Sequence, residues 1–218
     1  MSYTLHVGDC REVMAGMDAE SVDAVVTDPP YGIALDSNGQ HFKGMRKCAG
    51  DDNTDVAKAI HQWCKMTKTT LVMFYSPWKP IPEVEWRSIL VWWKRYGGIG
   101  GDWKTCWKRD IEMIGVAFNR PLNGDRDSSI LDYSIVRGKE SYGHFAQKPV
   151  PLMRYLIEKV TQPGDLVVDF CMGVGSTGVA AIESGRTFIG IDTDPEYVAI
   201  ARARIEYEAA KHRQGELL

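Results

Sequence analysis

Leu166-Val167-Val168-Asp169-Phe170-Cys171-Met172-Gly173-Val174-Gly175-Ser176-Thr177-Gly178 is the stretch that decides the fold of this chain. Its apolar start, closed by an acid, reads as a buried strand, and the Gly-x-Gly-x-x-Gly spacing reads as a tight turn opening a helix over Thr177 to Ser184. Gly185 ends that helix, and Thr187 to Ile191 forms the next strand, closed by Asp192. Strand, glycine turn, helix, strand and terminal acid make the binding unit of a doubly wound α/β fold. The glycines let the backbone approach a ligand, and the acid on the second strand accepts hydrogen bonds from a ribose diol.

Such a unit serves dinucleotides and S-adenosylmethionine alike. Asp169 favours the latter. A carboxylate beside the turn repels a pyrophosphate but accepts hydrogen bonds from the ammonium group of a methionine moiety. After Asp192 the sequence holds one amphipathic helix, Glu196 to Lys211, and a tail, where a dinucleotide fold calls for a second βαβ half.

Toward the N-terminus, a mainly apolar run from Val22 to Val26 ends in Thr27-Asp28-Pro29-Pro30-Tyr31-Gly32. This reads as a buried strand that stops at an exposed edge, since proline cannot continue a sheet ladder and fixes φ near −65°. A carboxylate, a carbonyl and an aromatic ring are thereby held in one rigid group. It suits the gripping of a planar exocyclic amine: Asp28 and the Pro29 carbonyl each accept one N–H, and Tyr31 stacks on the ring that carries the amine.

Further strands are expected over Tyr3 to Val7, Leu71 to Tyr75, Ile89 to Trp93 and Glu112 to Phe118. Helices are expected over Arg11 to Met17, Thr54 to Met66 and Gln147 to Lys159, with a helical turn at Glu83 to Glu85. Residues 33–53 and 119–143 read as irregular. The alternation of strands and helices predicts one α/β domain over residues 1–218, a doubly wound, seven-stranded, mostly parallel sheet with helices on both faces.

The formal net charge is −3 and the five cysteines lack any C-x-x-C pair, a pattern that points to reduced thiols in a cytoplasm and away from zinc. No apolar run approaches the length of a membrane span. Basic residues nevertheless cluster: Lys43, Arg46 and Lys47 in one stretch, and Lys94, Arg95, Lys104, Lys108 and Arg109 among Trp92, Trp93, Trp103 and Trp107 in another. Basic residues mixed with aromatics are what a DNA-facing surface needs; core tryptophans and solvated charges explain the same pattern.

The two motifs in this order resemble the β group of DNA amino-methyltransferases, in which the Asp-Pro-Pro-Tyr block precedes the glycine block. The resemblance covers nearly the whole chain. Gly8-Asp9-Cys10-Arg11 is similar to the family's opening, His144-Phe145-Ala146-Gln147-Lys148-Pro149 to its His-Pro-x-x-Lys-Pro segment, and Phe188-Ile189-Gly190-Ile191-Asp192 to its closing segment. Phe170, Val174 and Phe145 depart from the family pattern.

The resemblance implies a circularly permuted methyltransferase sheet and methyl transfer from S-adenosylmethionine to the N6 amine of a flipped adenine. Asp28, Pro29, Pro30 and Tyr31 are then catalytic. The cofactor is held by Asp9 and Cys10 beside its adenine, Asp192 at the ribose, and Lys148 with the Ser176 and Thr177 backbone at the methionine carboxylate. Asp169, Asp28, Phe170, Gly173 and Gly175 complete that set. DNA contacts are expected from Lys43, Arg46, Lys47, Lys104, Lys108 and Arg109, within segments 33–53 and 103–143. No metal is implied. Double-stranded DNA is the expected partner, in the cytoplasm of a prokaryotic or phage-infected cell, with a homodimer and a cognate nuclease left open. Cytosine N4 methylation and an idle DNA-binding protein that keeps the cofactor fold are the alternatives.

Overall fold

The computed structural model describes residues 2–18, 21–32, 54–78, 84–95, 104–105, 107–117, 121–144 and 146–215. Strands β1 (Tyr3–Val7), β2 (Ala24–Thr27), β3 (Thr70–Tyr75), β4 (Ser88–Trp93), β5 (Ile111–Ala117), β6 (Ile130–Asp132), β7 (Leu166–Asp169) and β8 (Thr187–Asp192) form one sheet in the order β1-β8-β7-β2-β3-β5-β4-β6. Helices α1 (Cys10–Gly16), α2 (Asp55–Thr67), α3 (Val150–Val160), α4 (Ser176–Glu183) and α5 (Pro195–Gly215) connect and cover it. Among the described residues only the β3–β5 and β5–β4 pairings are antiparallel.

The central strands β2 and β3 are buried at every position, as expected of strands covered on both faces. Their side chains divide by parity. Val26, Val72 and Phe74 face a core completed by α3, α4 and α5, while Val25, Leu71 and Met73 face one completed by α1 and α2. No helix among the described residues is long and apolar enough to cross a membrane.

Among the described residues the sheet has eight strands rather than the seven expected. The extra one, β6, is three residues long and adds to the free edge of β4, pairing Val91 to Trp93 with Ile130 to Asp132. Three residues are too few to show a period, so the stretch reads as irregular in sequence. Val84 and Glu85, the described part of the expected helical turn, are irregular.

Helix α3 also departs from expectation. It begins at Val150, not Gln147, because Pro149 caps it in an extended conformation (φ −64°, ψ 130°). Residues 146–148 are therefore not helical, and Lys148 turns inward beneath the sheet edge rather than lying on a helix face.

Candidate active site

Because β1, β8, β7 and β2 run parallel, their C-terminal ends gather at one edge of the sheet. That edge carries a cleft of about 380 Å³. Asp9 and Cys10 enter it after β1, Asp192 from β8, Asp169 and Phe170 from β7, and Asp28, Pro29, Pro30 and Tyr31 after β2. Gly173, Ser176, Thr177 and Lys148 also line it. Gly175 does not. Its φ of +79° turns the chain into α4, and a Cβ there would meet the Ala201 Cβ at 2.7 Å, so its part is to let α4 close on α5.

Asp169 is almost fully buried and receives three hydrogen bonds: Thr27 Oγ1 donates to Oδ1 (2.7 Å), Cys171 N to Oδ1 (3.0 Å) and Thr177 Oγ1 to Oδ2 (2.5 Å). Thr27 thus ties the Asp-Pro-Pro-Tyr turn directly to the glycine turn, a link made by the pairing of β2 with β7. Burial pushes the Asp169 carboxyl up to about 6, against the pull of these donors. Asp192 accepts from the Gly173 N–H (2.8 Å) and the Asp194 N–H (2.9 Å), which fixes the turn and the carboxylate together.

The Ser176 hydroxyl is buried at the N-terminus of α4 and has no protein hydrogen-bond partner. A helix N-terminus with a spare hydroxyl donor is a ready anion site. Asp9 caps α1, accepts from Arg11 N (2.9 Å) and is held ionised by the Arg11 guanidinium. Beside it the Cys10 and Cys171 thiols act on each other, holding Cys10 below and Cys171 above the usual thiol range. His144 packs edge-on against Tyr197 (4.7 Å between centroids), and burial lowers its pKa to about 4, so it is neutral at neutral pH.

Asp28 is enclosed by charged neighbours. The Tyr31 hydroxyl donates to its Oδ1 (2.5 Å), and the Lys148 ammonium donates to its Oδ2. Behind Lys148 lies Glu112, whose Oε2 is 3.3 Å from Nζ and which is itself paired with Lys94. Burial pushes Asp28 up and Lys148 opposes it. Burial pushes Lys148 down, yet its two carboxylates outweigh this and hold it above its usual value. For Glu112 burial is outweighed by Lys148 and Lys94, and its pKa falls.

Two expectations change here. Lys148, assigned to the cofactor carboxylate, is bound instead to Asp28 and Glu112, because the extended segment before α3 carries it under the Asp-Pro-Pro-Tyr turn. Lys94, grouped with the surface charges, is largely buried against Glu112. Glu112 was not anticipated as a site residue. An acid opening an otherwise apolar strand was its only sequence signal, since its register places it one step beyond the Tyr75–Met113 pair at the site edge.

Lys104, Lys108 and Arg109 are exposed in the β4–β5 connection. Arg109 stacks over Trp78 (5.2 Å), and Trp107 is 96% exposed. Trp92, by contrast, is core, its Nε1 donating to the Tyr133 carbonyl (2.7 Å). Lys43, Arg46 and Lys47, and the whole segment 33–53, lie outside the described residues, as do Trp103 and Phe145.

Sheet, glycine turn and acid-lined cleft define an α/β protein built to hold an adenosine-bearing ligand at the carboxyl edge of its strands. Residues 86–203 match a family described as DNA methylase, of the N6/N4 type. The chain is 48% identical over 238 aligned positions to the type II methyltransferase M2.DpnII of Streptococcus pneumoniae, covering 92% of this chain and 88% of that protein. It is 26% identical to the DNA adenine methyltransferase YhdJ of Escherichia coli (strain K12), covering 99% and 86%. The crystal structure of an M1.HpyAVI–SAM complex superposes with a TM-score of 0.70 at 23% identity, covering 93% of this chain and 98% of that one. This chain therefore belongs to the N6/N4 DNA methylase family.

Proposed function

We propose that this protein methylates the exocyclic N6 amine of adenine in double-stranded DNA, at a specific site, with S-adenosylmethionine as donor. The observation that carries the reading is the placement of the Asp28 carboxylate at the wall of the acid-lined cleft, linked through Thr27 to the cofactor turn. The residues present fit the donor. Asp192 suits a ribose diol, Asp169 an ammonium group, and the spare Ser176 hydroxyl with the α4 N-terminus a carboxylate. The type II methyltransferase relatives support the same activity.

Bound in this cleft, the cofactor supplies a methyl group on a sulfonium, so that an N–CH3 bond forms as the S–CH3 bond breaks and its electron pair returns to sulfur. The chain's own residues prepare the nucleophile. The adenine amine is a weak one because its lone pair is delocalised into the ring. Accepting its two N–H groups at Asp28 and the Pro29 carbonyl favours a pyramidal nitrogen and stabilises the positive charge that develops on it. The released proton leaves through Asp28 or solvent. An amine inside a duplex is out of reach, so the base is turned out and stacked on Tyr31.

DNA lies along the same edge, against Lys104, Lys108 and Arg109 of the β4–β5 connection, and is also contacted by Lys43, Arg46 and Lys47. The chain works as one domain in the cytoplasm.

Unmethylated genomic DNA treated with the wild-type protein and labelled S-adenosylmethionine should, after digestion to nucleosides, carry label in N6-methyladenine. Asp28→Ala should lose nearly all of it while still binding the cofactor. Label in N4-methylcytosine, or wild-type turnover by Asp28→Ala, would remove the reading.

A further inference from the structure

Glu112 and Lys148 have no task in methyl transfer as set out above, yet both are largely buried charges at the base of the site. Burying ions in this way is rarely the most stable solution, since apolar side chains of similar volume serve a core as well or better. The Lys148 ammonium touches Asp28 Oδ2, lies 3.3 Å from Glu112 Oε2, and sits 4.9 Å from the Phe74 ring centroid. Glu112 is anchored from the far side by Lys94. Lys148 is thus pinned between two carboxylates. The other donor to Asp28, the Tyr31 hydroxyl on Oδ1, belongs to the short turn that must receive the base. Of the two donors, Tyr31 is the one an incoming amine replaces.

We infer that Lys148 and Glu112 are positioning residues for methyl transfer: Lys148 holds the partly buried Asp28 ionised with Oδ1 presented to the target amine, and Glu112 sets how strongly it does so. This rests on the reading of Asp28 as the amine acceptor. The charged and titratable groups around Asp28 are Lys148 from the segment before α3, Glu112 from β5, Lys94 from β4 behind it, Tyr31 from its own turn, and Asp169 from β7. The two inferred residues act on Asp28 with opposite sign. The Lys148 cation favours its anionic form, and the Glu112 anion disfavours it.

The test is the single-turnover rate of methyl transfer from pH 5 to 9 on unmethylated genomic DNA, for the full chain and for Lys148→Met, Lys148→Arg and Glu112→Gln. Lys148→Met should be slower by roughly a hundredfold near neutrality. Its acid limb should move up by about one to three pH units, so that rate returns as pH rises. Lys148→Arg should recover much of the rate. The near-isosteric Glu112→Gln should move the limb the other way, to lower pH. Cofactor affinity by calorimetry should be unchanged in all three. Limbs that stay put or move in one direction, or a loss of cofactor affinity in Lys148→Met, would overturn the inference. If Lys148→Met does not fold, the sign of the Glu112→Gln shift decides. Asp28→Ala is run alongside: if it is active, the acceptor reading itself has failed, whatever the limbs do.

Discussion

Asp169 ionises near pH 6, about two units above an ordinary aspartate, because burial outweighs the three donors that hold it. In the proposed reading, its ionised form is the one that meets a cofactor ammonium. The sign follows. Above pH 6 the free protein already carries the anion and binding is at full strength. As pH falls through 6 the proton competes, and affinity should drop about tenfold per pH unit below it. Calorimetric titration with S-adenosylmethionine between pH 5 and 8 checks this, and a flat profile would place the ammonium elsewhere. Asp192 is a simpler case. Asp192→Ala removes the proposed acceptor for the ribose and also releases the Gly173 and Asp194 N–H groups, so cofactor binding should weaken by about 1–3 kcal/mol.

The element that governs the cleft is the turn into α4. Gly175 takes a left-handed conformation, and the space its Cβ would need is filled by Ala201 of α5 at 2.7 Å. Gly175→Ala therefore combines a backbone penalty of about 1–2 kcal/mol with overpacking of similar size. Urea unfolding should show a loss of about 2–4 kcal/mol, summing these two effects. Cofactor affinity should fall as well, because Ser176 and Thr177 move with the turn. A variant as stable as wild type would mean that α4 and α5 separate without cost. The segment before α3 behaves differently: Pro149 stops the helix from reaching back to Gln147, and the side chain thereby freed is Lys148.

Across the whole molecule, charge is arranged rather than abundant, with a net value of only −3. Strand β5 runs antiparallel to β3, so the connection that precedes it emerges on the same edge as Asp28. Replacing Lys104, Lys108 and Arg109 together with alanine should reduce the slope of log affinity for duplex DNA against log salt by up to about 2.7, at about 0.9 per lost phosphate contact. Cofactor affinity should not change. A slope equal to wild type would move the DNA surface away from this connection. The same measurement on Lys43, Arg46 and Lys47 asks the question of segment 33–53.

Much of this arrangement was legible in the chain itself. Asp28-Pro29-Pro30-Tyr31 and Asp169 with its glycine turn are short, local signals, and local signals depend on backbone geometry that sequence states directly: proline stops a strand, glycine permits a turn, an apolar run is buried. The sheet class follows from alternation, again a local property, which is why all seven expected strands recur within a residue or two. What tertiary structure alone decided is which distant groups meet. Thr27 on Asp169, Lys148 on Asp28, and Glu112 on Lys148 and Lys94 are contacts between residues far apart in the chain, set by strand order and register. Strand β6 belongs with them, for three residues have no period of their own and become a strand only when β4 offers an edge. A lone Glu or Lys carries no mark of burial in sequence, because its charge state and partner depend on neighbours that only the closed sheet brings within reach.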